Sequence, residues 1–455
     1  MLLHSVILTN TWLARTQRPV FSTLLRRYSI SSDRAPHIDT DCYDFLSWLE
    51  HKSGAKFSSV LTIGNSSYGK TLYAAEDIQT GDCILKVPYS VQLAPDNLPP
   101  EINCLLGDEV GNIAKLALLI LHEKILGNNS EWAPYITRLP KPDDMHSTVF
   151  WSDEELEMIR PSALYDETFQ QKARIEKDFL LVKSALDWED AMLREFVHAY
   201  GLVTSRAWES SRGVSMIPFA DFLNHDGYSE SYVLSDESKC HSEVIADRDF
   251  GPGDEVLITY GEFSNSTLLL DFGFTVSRNR YDRVRVGLNV PKHDGLYEQK
   301  VELLDRHQTP SVKDVNEFFS SSGNLFTIRN VKNGTKNGKG IPQSARAFCR
   351  VLICDSMREL NDLAIEAEGS DGRLARFPLK DGKREIEAHR YLLSEISRLI
   401  EKYNEYIELL VSGKSVLRTR LACDLLTGEV RVLKSAAVWL ERYCSTLSTE
   451  DDTLL

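Results

Sequence analysis

Short runs of alternating apolar and polar residues, punctuated by turn-forming glycines such as Gly69 and Gly81, predict β-strands in two parts of the chain. The runs lie at residues 59–63, 71–75, 83–88, 214–219, 242–248 and 255–260. Between the two groups, from about residue 96 to residue 205, apolar residues recur at the spacing of amphipathic helices. The pattern therefore predicts a β-rich domain that a helical block interrupts.

Helical spacing dominates the rest of the chain. Beyond about residue 285 it continues almost to the end, with long amphipathic segments at residues 385–410 and 418–447, and the Gly-, Asn- and Lys-rich stretch 331–340 is typical of an exposed flexible loop. Shorter helical patterns lie at residues 41–49, 112–126, 153–159, 169–186 and 188–203. The predicted fold class is α+β, a β-rich domain with a helical insert, followed by an all-α C-terminal domain. The expected domain boundaries separate an N-terminal segment (residues 1–28) from the folded part. The folded part consists of the first part of the β-rich domain (40–95), the helical insert (96–205), the second part of the β-rich domain (206–284) and the helical C-terminal domain (285–455).

Composition excludes several classes of function. A chain of 455 residues, 42% hydrophobic and 26% charged, is typical of a globular protein with two or three domains. The net charge of −15 argues against sequence-independent nucleic-acid binding, which depends on Lys and Arg. The most apolar stretch, residues 115–126, is too short and too charged for a membrane helix. We expect a monomer that binds neither nucleic acid nor a membrane.

The eight cysteines are scattered, and none forms a C-x-x-C pair. Structural zinc sites commonly use such pairs, so we expect no metal site. Unpaired, scattered cysteines also fit a reducing compartment better than a secretory one.

Residues 1–32 contain no Asp or Glu but carry four arginines in a Ser-, Thr- and Leu-containing stretch. This composition is typical of an organelle transit peptide, and a basic tail without a targeting role is the alternative. The segment Arg26-Arg27-Tyr28-Ser29 resembles a mitochondrial processing site. We therefore expect a leader at residues 1–28 and an organellar protein, with the mitochondrion favoured over the chloroplast.

Three stretches carry candidate chemistry, although each alone also fits ordinary structure. Residues 67–75 (SYGKTLYAA) place a glycine before a strand, where a ligand can approach the backbone closely. Residues 217–225 (IPFADFLNH) form an apolar run that ends in Asn-His, a pair that also caps turns and fills cores. Residues 253–261 (GDEVLITYG), followed by 268–274 (LLLDFGF), bring a tyrosine to a glycine turn, and such tyrosines often serve packing.

Taken together and in this order, the three stretches resemble the SET domain, and closely the branch typified by the plant Rubisco large-subunit lysine methyltransferase. The resemblance covers about residues 40–450, and its most specific part is residues 217–274. It implies an S-adenosylmethionine-dependent transfer of methyl groups to the ε-amine of lysine in a non-histone protein. It also implies a fold in which a threaded chain brings Asn224 and His225 beside Tyr260, and a helical C-terminal domain that binds the substrate.

The resemblance also implies roles for individual residues. Tyr260 would be the catalytic phenol. Residues of the cofactor site would be the backbone at Gly69 and Thr71, with Ser205, Asn224 and His225. Arg206, Asp221 and Phe272 would lie on the substrate side, although Arg206 equally fits an ion pair with Glu209 on the same helix.

Two departures from the family pattern bear on the chemistry. Lys70-Thr71 stands where the family generally has a second glycine, which affects the expected cofactor contacts. Phe272 stands where the family often has tyrosine, and the missing phenol is expected to change the hydrogen bonding around the lysine channel. The number of methyl groups added can change with it.

Two other functions remain open at the level of sequence. A SET-like protein that binds partners without catalysis is one, although Tyr260, Asn224 and His225 are all present. A methyltransferase that acts on histidine or on an N-terminal amine is the other. The identity of the methylated protein does not follow from the sequence.

Overall fold

The computed structural model describes residues 42–54, 60–66, 69–186, 192–210, 213–307, 324–332, 338–370, 372–413 and 416–452. The expected leader at residues 1–28 lies outside these ranges, as do residues 67–68 of the first motif and residues 333–337 of the expected flexible loop. Within the described ranges, no helix combines the length and apolarity that a membrane span requires. Those ranges also hold no cluster of three or more His, Cys, Asp or Glu side chains placed to bind a metal.

The strands are short and form small sheets. They are β1 Leu61–Ser66, β2 Gly69–Ala74, β3 Cys83–Pro88, β4 Ala207–Ser210, β5 Gly213–Met216, β6 Asn224–His225, β7 Val233–Asp236, β8 His241–Ile245, β9 Leu257–Ile258, β10 Arg283–Gly287 and β11 Leu325–Arg329. Antiparallel pairs join β1 to β2, β4 to β5, β8 to both β3 and β7, and β10 to β11, whereas β6 and β9 run parallel. All six predicted strand runs overlap one of these strands.

The helices are mostly longer than the strands and lie where the apolar spacing predicts them. They are α1 Cys42–Ser53, α2 Pro100–Asn103, α3 Asn112–Leu126, α4 Ala133–Ile136, α5 Asp153–Glu157, α6 Leu164–Leu186, α7 Leu193–Arg206, α8 Asn265–Thr267, α9 Tyr297–Arg306, α10 Gln343–Leu352, α11 Met357–Glu368, α12 Gly382–Ser412 and α13 Leu417–Asp452. A π-helical segment, Leu268–Phe272, continues α8.

The helical insert shares its core with the first strands. Leu116 and Leu119 of α3 are fully buried in the same apolar cluster as Ile63 of β1 and Leu72 of β2. Apolar residues occupy most positions of α3, and Ala114 and all of residues 116–121 are buried, as expected for a helix surrounded by protein. The insert is therefore part of the β-rich body, and the exact domain limits stay a prediction.

The C-terminal region builds a second core from α10, α12 and α13 against β10 and β11. The α+β fold class is confirmed, but this region differs from the all-helical expectation in one feature. Strand β10 pairs with β11, and alternate residues such as Val286 and Phe326 face the core. The alternation in each strand covers only five residues, and the surrounding helical spacing obscured it.

Candidate active site

The parallel pairing of β6 with β9 creates the centre of the site. Asn224 pairs with Leu257 and His225 with Ile258, and the pairing ends where the Asp226 N–H donates to the Ile258 carbonyl at 2.8 Å. Tyr260 follows β9 by two residues and so lies beside His225, with ring centroids 5.2 Å apart. The structure thus brings together Asn224, His225 and Tyr260, as the sequence predicts.

Two hydrogen bonds fix Tyr260. Its hydroxyl donates to the Leu223 carbonyl at 2.6 Å, and its backbone N–H donates to His225 Nδ1 at 3.0 Å. Burial raises the pKa of the Tyr260 phenol and lowers the pKa of the His225 imidazole, so both side chains are neutral near pH 7. Because His225 Nδ1 accepts a hydrogen bond, the neutral ring carries its proton on Nε2.

Aromatic rings surround the Tyr260 side chain. The Tyr260 ring centroid lies 5.1 Å from that of Phe272, 6.3 Å from that of Phe274 and 6.4 Å from that of Trp208. Each ring is only partly buried. The rings therefore present an apolar wall with one phenol oxygen in it.

The position of Phe272 depends on the turn that follows it. Gly273 closes the π-helical segment with φ of +80°, and a Cβ there would lie 2.6 Å from the Ser147 nitrogen. A side chain at this position would therefore displace either the helical insert or Phe272.

The first motif joins this group through Glu255. The Thr71 hydroxyl donates to Glu255 Oε1 at 2.7 Å, and Asn224 Nδ2 donates to the same oxygen at 3.1 Å and to Ser66 Oγ at 3.3 Å. Thr71 is fully buried, its hydroxyl is engaged by Glu255, and its backbone pairs with Gly64 of β1, so it is not open to a ligand in this structure. Glu255 lies within the third motif, but nothing in the sequence singles it out as a site residue.

Gly69 opens β2 beside this network. Its φ is +104°, and apart from its chain neighbours no heavy atom of the described residues lies within 4 Å of the place where a Cβ would be. The backbone at Gly69 is therefore accessible to a ligand.

Arg206 and Asp221 form a buried pair. Arg206 Nη1 donates to the Asp221 backbone carbonyl at 2.8 Å and lies 3.6 Å from Asp221 Oδ2, and the Tyr135 hydroxyl donates to the same carboxylate oxygen at 2.8 Å. The Asp221 side chain is fully enclosed, and burial raises its pKa to about 6. The alternative prediction, an ion pair between Arg206 and Glu209 on the same helix, is wrong. Helix α7 ends at Arg206, Glu209 lies in β4, and the acid next to Arg206 is Asp221.

Ser205 stands apart from these contacts. Its hydroxyl donates to the Gly201 carbonyl at 2.8 Å within α7. The sequence analysis also missed Tyr135, which lies in the insert outside all three motifs. The individual roles of Gly69, Thr71, Ser205, Arg206, Asp221 and Phe272 stay predictions.

Two family models match the chain in succession, the SET domain at residues 69–261 and the Rubisco LSMT substrate-binding domain at residues 291–433. The chain belongs to the SET-domain family. The second match places this SET protein in the branch that carries the Rubisco LSMT substrate-binding domain, as the sequence motifs indicate.

Several characterised proteins resemble this SET protein at 26–27% identity. The Arabidopsis thaliana chloroplastic [fructose-bisphosphate aldolase]-lysine N-methyltransferase matches at 26% identity over 65% of this chain and 65% of its own length, which is under two thirds. The Mus musculus actin-histidine N-methyltransferase matches at 27% over 88% of this chain and 69% of its own length. The Nicotiana tabacum chloroplastic Rubisco large-subunit N-methyltransferase matches at 26% identity over 88% of this chain and 81% of its own length.

The same fold occurs in the solved structure of Rubisco LSMT bound to AdoMet. The TM-score is 0.66 at 20% identity, and the match covers 90% of this chain and 94% of the other. At this identity the likeness establishes the fold alone.

Proposed function

We propose that this chain is an S-adenosylmethionine-dependent methyltransferase that modifies the ε-amine of lysine in a protein. The observation that carries the proposal is the neutral Tyr260 phenol, held against the Leu223 carbonyl beside Asn224 and His225 and walled by aromatic rings. Relatives that methylate aldolase, Rubisco and actin support a protein substrate.

The described residues fit the cofactor. The backbone at Gly69 is open, and the amide of Asn224 and the neutral imidazole of His225 provide polar groups for a nucleoside or an amino acid. S-adenosylmethionine, when bound, would supply a methyl group on a sulfonium; the C–S bond would break as the amine nitrogen takes the methyl, which leaves S-adenosylhomocysteine as a neutral thioether, and the methylated amine would give one proton to water.

The protein's contribution is positioning. The Tyr260 hydroxyl donates a hydrogen bond to the Leu223 carbonyl, so its oxygen lone pairs remain to accept an N–H or a polarised C–H from the reacting groups. The apolar wall disfavours a charged ammonium and lowers the pKa of a lysine that enters it, which supplies the neutral amine that methyl transfer needs. No residue has to form a covalent bond to the substrate.

Histidine is the second candidate for the methylated residue, because the actin-histidine relatives match 88% of this chain. Lysine is favoured by the site itself. The long aliphatic stem of lysine suits the wall formed by Tyr260, Phe272 and Phe274, whereas an imidazole needs polar partners to present one chosen nitrogen.

The test is transfer of isotope from labelled S-adenosylmethionine into a cell extract, followed by hydrolysis and identification of the methylated amino acid. Methyl-lysine is expected. Methyl-histidine would replace the lysine proposal with the second candidate, and a binder without catalysis would give no labelled product. The matched control is Asn224→Ala with His225→Ala, which is expected to fold but to lose both transfer and S-adenosylhomocysteine binding.

We further propose that the protein acts in an organelle. The acid-free, Arg-containing composition of residues 1–28 supports a leader, and two of the relatives are named as chloroplastic. None of the relatives named above is described as mitochondrial, so the mitochondrial preference rests on residues 26–29 alone. Import of a fluorescent protein fused behind residues 1–28 tests the proposal, and diffuse fluorescence would contradict it.

A further inference from the structure

An exposed arginine stands between two tyrosine rings next to the site. The Arg280 guanidinium carbon lies 5.2 Å from the centroid of the Tyr228 ring and 4.7 Å from that of the Tyr281 ring. Arg280 Nη2 also donates to the Tyr281 hydroxyl. Tyr228 keeps 67% of its surface exposed, so this cluster, Tyr228, Arg280 and Tyr281, faces solvent.

The cluster is anchored to the aromatic wall from two sides. Tyr228 follows His225 by three residues, a span of at most about 11 Å along the chain. On the other side, Asn279 is buried and its amide donates to the Phe263 carbonyl at 2.8 Å, while the Phe263 ring lies 5.8 Å from that of Phe272. The cluster therefore lies on two chain segments that adjoin the aromatic wall.

Arg280 has no carboxylate partner within the part of the chain that the structure describes. Nearby acids are already engaged, because Asp226 pairs with Arg248 at 3.1 Å and Asp282 pairs with Arg431 at 2.8 Å. One N–H of Nη2 is used by the Tyr281 hydroxyl, and the other guanidinium N–H groups remain to bind a carboxylate with two parallel hydrogen bonds.

We infer that Arg280 selects protein substrates that carry Asp or Glu within about three residues of the methylated side chain. Three residues of extended chain span about 11 Å. This inference rests on the proposed function and names the substrate class for the same site. Arg280 acts here as a recognition residue, since it lies outside the Tyr260 group and does not take part in methyl transfer.

The test compares wild type, Arg280→Glu and Arg278→Glu, with a cell extract and labelled S-adenosylmethionine as the probe. Arg278 is a matched control, because it is an exposed arginine of the same turn without a ring contact. Mass spectrometry maps the methylated sites, and rates are then measured on the proteins that contain them. The wild type is expected to label sites with acidic neighbours.

For those sites, kcat/KM should fall about fivefold in Arg280→Glu, the factor that corresponds to the loss of one exposed ion pair. The change should appear in KM. Added salt should shrink the difference between wild type and variant, because the arginine is exposed. Arg278→Glu should match the wild type, and all three proteins should bind S-adenosylhomocysteine equally.

Two results would overturn the inference alone: equal rates for wild type and Arg280→Glu, or labelled sites without acidic neighbours. Absence of labelling by the wild type would overturn the proposed function, and the inference with it. A fall in kcat without a change in KM would mean that Arg280 supports the structure of the site instead of binding substrate.

Discussion

Three residues from two other stretches of the chain position Tyr260. The Leu223 carbonyl accepts a hydrogen bond from its hydroxyl, His225 accepts one from its backbone N–H, and Phe272 lies against its ring. These contacts hold the phenol oxygen in one orientation before any ligand arrives. Such preorganisation is the usual source of large catalytic effects from a single polar atom.

Tyr260→Phe is therefore expected to lower kcat about 10²–10³-fold, as loss of one preorganised polar group does in other enzymes. The variant also leaves the Leu223 carbonyl without its donor, so the free energy of unfolding should fall by about 1–3 kcal/mol. Single-turnover rates, a thermal melt and a cofactor titration measure the three quantities. Affinity for S-adenosylhomocysteine should change little.

Tyr232→Phe provides the matched control, because Tyr232 is a tyrosine of the same domain with 52% of its surface exposed. It should leave both turnover and stability unchanged. If Tyr260→Phe turned over at the wild-type rate, Tyr260 would have only a packing role.

The central residues of the site could be predicted because a sequence motif carries them, whereas their partners could not. Glu255 and Tyr135 become visible only when strands and insert fold together, since Thr71 and Glu255 are 184 positions apart. Phe219 is a further example, with φ of +75° in a fully buried aromatic residue. Sequence propensity would assign that residue to an ordinary strand.

At the scale of elements, a buried ion pair joins α10 to α12. Arg350 Nε and Nη2 donate to the two oxygens of Glu385 at 2.9 and 2.6 Å, and Arg350 Nη1 donates to the Ala375 carbonyl at 2.8 Å. Both side chains are 1% exposed. The Tyr443 hydroxyl of α13 donates to the same carboxylate at 3.1 Å, so the pair connects three helices.

Arg350→Met should destabilise the protein by about 3–5 kcal/mol, because it leaves the Glu385 carboxylate buried without its cation. Adding Glu385→Leu should restore much of this loss, since two apolar side chains of similar volume can replace a buried pair. Urea unfolding of the single and double variants measures the difference. Equal stability of the two variants would show that Glu385 is not the cause.

Long elements with regular spacing were predictable, and short ones were not. The predicted range 112–126 agrees with α3, which lies between Gly111 and Gly127. By contrast, β6 and β9 contain two residues each, and their parallel pairing depends on tertiary structure alone. The pair β10 and β11 lies within a region whose helical spacing dominates the pattern.

At the scale of the whole molecule, α13 attaches the C-terminal region to the SET domain and its insert. Arg418 donates to Glu155 at 2.6 Å, and Arg431 donates to Asp282 at 2.8 Å. Between them, the buried Glu429 accepts a hydrogen bond from the Ser162 hydroxyl at 2.9 Å. Burial raises the Glu429 pKa to about 8, and burial likewise raises the Asp282 pKa to about 6.

The Glu429 carboxyl should make this attachment sensitive to pH. Its pKa is higher in the folded than in the unfolded protein, so its contribution to stability is complete below about pH 4.5 and is lost as pH rises through about 8. Glu429→Gln keeps the size of the side chain and removes the titration. The stability difference between variant and wild type should therefore grow in favour of the variant between about pH 5 and pH 8.

Urea unfolding at a series of pH values measures that difference, and comparison with the wild type cancels the titration of groups that do not interact with Glu429. A difference that does not vary with pH would contradict the assignment. The matched comparison is Glu441→Gln on the same helix, where the carboxylate is exposed and no pH-dependent difference is expected.

The bond between Thr71 and Glu255 spans 184 positions, and it has a consequence for the order of folding. Closing a loop of that length costs roughly 2–3 kcal/mol more entropy than closing one of about ten residues, so contacts across it form late. During synthesis, a chain that has not yet reached β9 holds Gly69 and Thr71 but lacks their partners. The proposed cofactor site therefore cannot form in an N-terminal fragment that ends before β9, although such a fragment carries the first motif.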